Sequence, residues 1–537
     1  MDMIVSRDTP WGLRGIEWLW SRCTNHRRYN RLAWHRGGVL ALTYMAYTCY
    51  HMTRKPISVV KSILSQNCTN LIPPPGVNPD NANSWCDWAP FDTKDAPALL
   101  GTLDSSFLFA YAAAMFLSGF VAERANLRYF LSLGMIFSGI CCYLFGIARP
   151  YQIHSLWYFI LVQAMGGIFQ TSGWPGVVTV VGNWFGKGKR GLIFGIWNSH
   201  TSLGNILGSL IAGEFVENDW GLSFMVPGAI MGVVGFILFL FLAPSPVDIG
   251  CVPPEPLGYR KVEATNSSDE GSTIEDPEAN NAADNRVTYR SVLRPQYVEG
   301  EAILRTETSP MLTVNRRPHI PGEDKPIGFI NAISIPGVAE YSLCLFFTKL
   351  VSYTFLYWLP QYIAASTNYS ARLSADLSTL FDIGGAAGAV AAGVLSDYSG
   401  MSAVTCASML SLAVPMLFVY DFVGSTSIGI NVTLLIMAGI LVNGPYALIT
   451  TAVSAELGTH PSLGGNSRAL ATVTAIIDGT GSIGAAVGPL LAGVISNWAG
   501  WHNVFYMLMG ADVVALLLLS RLVYREINLC IQRRRAV

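Results

Sequence analysis

The chain contains twelve runs of about 20 mostly apolar residues, each long enough to cross the roughly 30 Å hydrocarbon core of a bilayer as a helix. The first six cover 37–59, 99–121, 127–147, 156–181, 192–215 and 222–243; the second six cover 335–364, 375–395, 403–420, 428–453, 469–495 and 504–523. Runs this long lack the alternating period of barrel strands, so the expected class is an all-α polytopic membrane protein. Composition agrees: 51% of the 537 residues are hydrophobic and only 13% are charged, about half the charge density of a soluble domain. The net charge of -1 leaves no basic field for nucleic acid, and ten cysteines are too sparse for a disulfide scaffold. The N-terminal 36 residues read as no signal peptide; the first run serves as the signal anchor.

Basic residues set the orientation. Arg7, Arg14, Arg22, Arg27, Arg28, Arg31 and Arg36 precede the first run, Arg124 and Arg128 follow the second, Lys187, Lys189 and Arg190 follow the fourth, and Arg521, Arg525 and Arg533 to Arg535 close the chain. The alternate short loops are nearly free of them, so both termini are expected in the cytosol. The expected organisation is a cytosolic segment 1–36, a six-helix half 37–243 with a lumenal loop 65–97, a cytosolic linker 244–326, a second six-helix half 327–523 and a cytosolic tail 524–537. The linker, rich in Glu, Asp, Ser and Asn, cannot bury a core and is expected to be disordered. Cys68 and Cys86 are the two cysteines of the lumenal loop, where disulfides persist. A bridge between them closes a loop worth roughly 3 kcal/mol on the chain-entropy model. Asn67-Cys68-Thr69 is a glycosylation sequon on the same side.

The halves repeat. Ser202-Leu-Gly-Asn-Ile-Leu-Gly-Ser-Leu-Ile-Ala-Gly213 matches Ser482-Ile-Gly-Ala-Ala-Val-Gly-Pro-Leu-Leu-Ala-Gly493 at six of twelve positions. Gly119-Phe-Val-Ala-Glu123 likewise corresponds to Gly393-Val-Leu-Ser-Asp397. Small residues recur wherever membrane helices pack closely, but the matched offset favours duplication. Two six-helix halves around a central site describe the major facilitator architecture.

Charges within the runs are costly and point to function. Arg54 and Lys55 stand late in the first run, in Tyr50-His-Met-Thr-Arg-Lys-Pro56; Lys349 stands midway in the seventh; Lys61 lies near the membrane edge, where it can snorkel. Buried acids such as Asp104, Asp382 or Asp478 can pair with them. The preferred reading is instead an anion held between Arg54 and Lys349, one cation from each half, with Lys55 beside them. Arg fits phosphate as a planar fork and Lys as a point charge. Tyr47, Tyr50, Tyr353 and Tyr357 add hydroxyls at the same levels. Asp478 is read as the partner of Lys349 or as a proton carrier. His200, in Trp197-Asn-Ser-His200, is a packing residue or a ligand, and Asn198 shares its helix. No metal or cofactor is expected, and no triad or metal-ligand spacing supports an enzyme.

These residues resemble the organophosphate:phosphate antiporters of the major facilitator superfamily, and among them the animal sugar phosphate exchanger (glucose-6-phosphate transporter-like) family. The likeness covers nearly all of both membrane halves. It rests on Tyr50-His-Met-Thr-Arg-Lys-Pro-Ile-Ser58, on Ala122-Glu-Arg-Ala-Asn-Leu-Arg128, on Gln170-Thr-Ser-Gly-Trp-Pro175, and on Arg190-Gly191 followed, after five intervening residues, by Trp197-Asn198. It implies twelve transmembrane helices in two halves and exchange of a sugar phosphate, glucose 6-phosphate first, for inorganic phosphate by alternating access. It further implies an endoplasmic reticulum membrane and a protein that works as a monomer. The substrate-site expectation comprises Arg54, Lys55, Lys349, His200, Tyr50, Tyr353, Gln170, Trp174, Asn198 and Asp478, with Glu123, Arg124, Arg128 and Asp397 as gating residues. Two departures stand out. Relatives in bacteria place a second phosphate-binding arginine where Ser352 falls, and Lys349, one turn earlier, is read as its substitute. His200 comes one residue earlier than the histidine of their fifth-helix signature. A facilitator for another small organic anion and a non-transporting sensor on the same fold remain the alternatives.

Overall fold

The computed structural model describes residues 9–16, 31–65, 88–185, 197, 199–251, 329–367, 369–457 and 467–536. Among them there are helices and turns and no strand. In the first half the helices are α1 (Arg31–Arg54), α2 (Pro56–Leu64), α3 (Ala96–Arg124), α4 (Leu127–Ile147), α5 (Leu156–Gln170), α6 (Gly173–Phe185), α7 (His200–Val216) and α8 (Leu222–Phe241). In the second they are α9 (Val338–Ser366), α10 (Ala371–Ser399), α11 (Ser402–Val423), α12 (Ile428–Leu448), α13 (Ser467–Ala499) and α14 (Trp501–Ala536). Their ends follow local chemistry: the Asn126 side-chain amide oxygen accepts the Arg128 N–H to cap α4, Ser370 caps α10 and Ser427 caps α12. Gly400 and Gly500 stop α10 and α13 in left-handed conformations, with φ of 65° and 82°.

Among the described residues nine helices are long and apolar enough to cross a bilayer. Large apolar side chains such as Leu117, Val233 and Leu517 are exposed on their outer faces, as lipid allows and water does not. The other three predicted runs, the first, fourth and fifth, meet the cavity described below. The first is divided at Lys55, because Pro56 has no N–H for the Met52 carbonyl. The fourth is divided at Thr171 and Ser172, because Pro175 has none for the Thr171 carbonyl. Ser118 of α3 donates to that carbonyl at 2.7 Å in its place. The fifth run is described at 197 and from 199 onward; Asn198, like Asn67, Cys68, Cys86 and residues 252–328, lies outside the described residues.

Residues 245–251, assigned to the linker, begin as a 3-10 turn at Pro246–Ile249 closed by a capping box between Ser245 and Asp248. α14 runs unbroken from Trp501 to Ala536, through the residues expected as the tail. The Glu526 carboxylate accepts the N–H groups of Ala403 and Val404 at the start of α11, both at 3.0 Å, which ties the extension down.

Close packing sets the register between halves. A Cβ on Gly204 would strike the Thr48 carbonyl, and one on Gly208 would meet the Met52 carbonyl at 2.5 Å. In the second half Gly484 stands against the Phe346 carbonyl and Gly488 against that of Leu350. Equivalent contacts on α1 and α9 are thus 298 residues apart. That register matches Arg54 with Ser352 and His51 with Lys349.

Candidate functional site

A cavity lies between the halves, bounded by Tyr47, His51 and Arg54 of α1, Tyr111 of α3, Trp174 of α6 and Ser199 to Asn205 around the start of α7. The second half contributes Lys349, Ser352 and Tyr353 of α9, Asp382 to Val390 of α10, Asn443 to Thr451 around the end of α12, and Asp478 of α13. It extends from Arg54 toward the end of the bundle where α1 begins.

The four cations are treated differently. Lys61 is fully buried, paired with Asp104, and donates to the Tyr357 carbonyl at 2.9 Å. Its ammonium also sits 3.8 Å from the Trp358 ring centre. The expected snorkelling position is therefore wrong: Lys61 is a core residue at the junction of the halves. Lys55 lies 3.4 Å from the Asp382 carboxylate and donates to the Leu356 carbonyl. Pro360 explains that acceptor, since it removes the N–H that Leu356 would otherwise bond. Lys349 holds Asp478 at 2.7 Å. Arg54 alone of the four has no carboxylate partner among the described residues. Its Nε donates to the Gln170 amide oxygen at 2.7 Å, and its guanidinium carbon lies 4.9 Å from the Tyr111 ring centre. The Gln170 amide nitrogen is fixed in turn by the Thr53 hydroxyl at 3.0 Å. The breaks after Arg54 and Gln170 thus meet, and their facing side chains orient the guanidinium.

The expected site residues divide by depth. Arg54, Lys349, Tyr353, Trp174 and Asp478 line the cavity. Gln170 and Lys55 stand one contact behind it, as partners of Arg54 and Asp382. Tyr50 is fully buried and bonds the Ser172 hydroxyl at 2.8 Å. His200 is also fully buried, with its ring edge-on to Trp197 at 4.2 Å and 4.5 Å from Tyr47. It supports the aromatic wall from behind. Arg128 is buried and Arg124 and Asp397 are exposed, all at helix ends away from the cavity; the Glu123 side chain lies outside the described residues. Sequence reasoning missed His51, Tyr111, Asn443, Thr450 and Thr451, while Asp382, named as a possible acid partner, pairs with Lys55. His51 was inside a quoted motif, one turn before Arg54, and its place on the same face of α1 was the available signal. The others sit on helices with no local motif.

Further polar contacts join the two halves at the cavity floor and beyond it. Besides Lys55 and Lys61, Asn205 donates to Asp382 at 2.9 Å, Ser105 to the Ala486 carbonyl at 3.1 Å, and Arg372 pairs with Glu214 at 2.6 Å. Among the described residues these contacts close the bundle beyond Arg54, and the cavity extends from Arg54 toward the start of α1. This is how a carrier with a central site operates by alternating access.

Residues 44–298 and 341–528 match the Major Facilitator Superfamily, so the cavity is that of a multi-pass membrane transporter fold. The chain is 54% identical over 502 residues to the glucose-6-phosphate exchanger SLC37A2 of Mus musculus, spanning 93% of this chain and 94% of that one. It is 54% identical over 504 residues to SLC37A2 of Homo sapiens, at 93% and 94% coverage, and 47% over 522 residues to the exchanger SLC37A1 of Homo sapiens, at 93% and 95%. The chain belongs to this glucose-6-phosphate exchanger family within the Major Facilitator Superfamily. Among solved structures, an inward-facing bacterial homolog of the human lysosomal transporter Spinster matches with a TM-score of 0.57 at 16% identity, covering 92% of this chain and 96% of that one. The nucleoside transporter NupG matches with a TM-score of 0.55 at 11% identity, covering 90% and 99%. These two likenesses concern the fold alone.

Proposed function

We propose that the protein exchanges a sugar phosphate, with glucose 6-phosphate as the leading substrate, for inorganic phosphate. The names of its relatives support the sugar phosphate, and the observation that carries the reading is Arg54. A buried cation that faces the cavity and has no carboxylate partner of its own leaves room for a phosphate dianion to neutralise it. Lys349 and Lys55 are compensated by Asp478 and Asp382. The cost of crossing the occluded state empty therefore falls on Arg54, and bound phosphate removes it. Tyr47, His51 and Tyr111 surround the same guanidinium, and Lys349 meets the anion from the second half by partly releasing Asp478. As the halves rock, Lys55 and Asp382 separate and the sealed end opens.

The positive-inside pattern supports cytosolic termini, and the family resemblance supports an endoplasmic reticulum membrane and action as a monomer. In that orientation Cys68 and Cys86 form a lumenal disulfide and Asn67 is a glycan acceptor. Counterflow into phosphate-loaded vesicles with a panel of sugar phosphates tests the transport reading. Uptake of glucose 6-phosphate driven by internal phosphate is the expected result; uptake indifferent to internal phosphate overturns it.

A further inference from the structure

A substrate with a phosphate at one end and hydroxyls at the other requires two kinds of wall. Arg54 is a pure donor and suits the phosphate. The second half presents the opposite chemistry where α12 widens into a π-helical turn at Ile449–Val453. Such turns are rare and gather at functional sites. Thr450 and Thr451 both line the cavity from this turn. Consecutive side chains on an α-helix diverge by about 100°; at this wider turn both neighbours border the same cavity.

Their protons are already committed. Thr450 donates to the Tyr446 carbonyl, and Thr451 donates to the Ala447 carbonyl at 2.7 Å. A threonine hydroxyl has one proton and two lone pairs, so each leaves acceptor capacity facing the cavity. Ser352, across from them on α9, likewise spends its proton on the Asn443 amide oxygen. This wall therefore accepts hydrogen bonds and offers few. A phosphate dianion, which has acceptors only, is repelled there, whereas a sugar hydroxyl has a proton to give.

We propose that Thr450 and Thr451 form the sugar-reading wall of the site, accepting hydrogen bonds from substrate hydroxyls while the phosphate lies toward Arg54. The inference rests on the sugar phosphate reading above and adds the orientation of the substrate and the residues that select it.

The test measures half-saturation for external glucose 6-phosphate and for external inorganic phosphate with the full-length protein in phosphate-loaded vesicles. In Thr450→Val/Thr451→Val, shape is kept and the acceptors are removed. The ratio of the two half-saturation values should rise about tenfold, two hydrogen bonds having been lost. Thr450→Ser/Thr451→Ser keeps the hydroxyls and should hold the ratio within about twofold. A wild-type ratio in the valine variant overturns the proposal, as does an equal rise for both solutes. Should the double variant fail to insert, each single valine variant should raise the ratio about threefold, and a wild-type ratio in both has the same consequence. Absence of exchange by the wild-type protein would instead sink the functional reading, so the two failures are distinguishable.

Discussion

The helix that carries Arg54 and the helix that carries Lys349 occupy equivalent places in the two halves, yet they treat their cations differently. In the first half the chain breaks at the cation, and the guanidinium is held by a neutral amide, Gln170. In the second, α9 runs unbroken through Lys349, and the ammonium is held by a carboxylate, Asp478. The glycine register places Ser352 where Arg54 would be, and Ser352 bonds Asn443 as Arg54 bonds Gln170. The polar pair between first and fourth helices is thus kept in both halves, while charge has been removed from one copy. An unneutralised cation facing the cavity is what an anion carrier needs, and here only the first half supplies one among the described residues.

The largest effect is expected at Arg54. Arg54→Ala should lower phosphate exchange by about a hundredfold or more, because charge-assisted bonds to the anion are lost. Arg54→Lys should remain at least about tenfold impaired, the planar fork being gone. Counterflow with monodisperse protein measures both, and near-normal exchange by Arg54→Ala would erase the asymmetry between the halves.

Next comes Lys349. Lys349→Ala should weaken phosphate binding strongly and lower the melting temperature, since Asp478 then stands alone. Adding Asp478→Asn should recover about 1–3 kcal/mol of stability by relieving that charge, without recovering binding. Restoration of binding by the double variant would reduce the pair to a structural one. Ser352→Arg with Asn443→Gln, in the double background, rebuilds the arrangement of the first half and should regain part of the exchange.

A smaller effect is expected from the contacts that seal the far end. Lys55→Met or Asp382→Asn should speed labelling of a cysteine placed at Ser105, from the side of the 65–97 loop, by about tenfold, which corresponds to about 1.4 kcal/mol in the closing equilibrium. Unchanged labelling would mean that apolar packing alone closes that end. The smallest belongs to Arg372, whose ion pair with Glu214 is more than half exposed, at 53% and 56%. Arg372→Gln should change exchange by less than about twofold, as exposed pairs contribute little; a larger loss would promote it to a gate.

Much of this architecture was legible in advance. The expected runs at 127–147 and 222–243 coincide with α4 and α8 to within two residues, because an apolar run and its caps are local properties. The breaks in the first and fourth helices could also be anticipated from Pro56 and Pro175. The site was half legible: a charge inside a membrane run announces itself, so Arg54, Lys55 and Lys349 stood out, whereas Thr450, Thr451 and Asn443 look like any polar residue on a membrane helix.

What the sequence by itself determined was the order of the apolar helices and which residues are too costly to bury without purpose. Those follow from chain length, hydropathy and charge, which need no partner. Which acid each cation meets was decided only by the tertiary structure. Lys55 and Asp382 are separated by more than three hundred residues, and the Leu356 carbonyl that Lys55 also takes is free only because Pro360 stands four positions later on a helix of the other half. That Arg54 is left without a carboxylate is a property of the assembled bundle, since a charge is neutralised by whatever packing brings within about 4 Å and not by its neighbours along the chain.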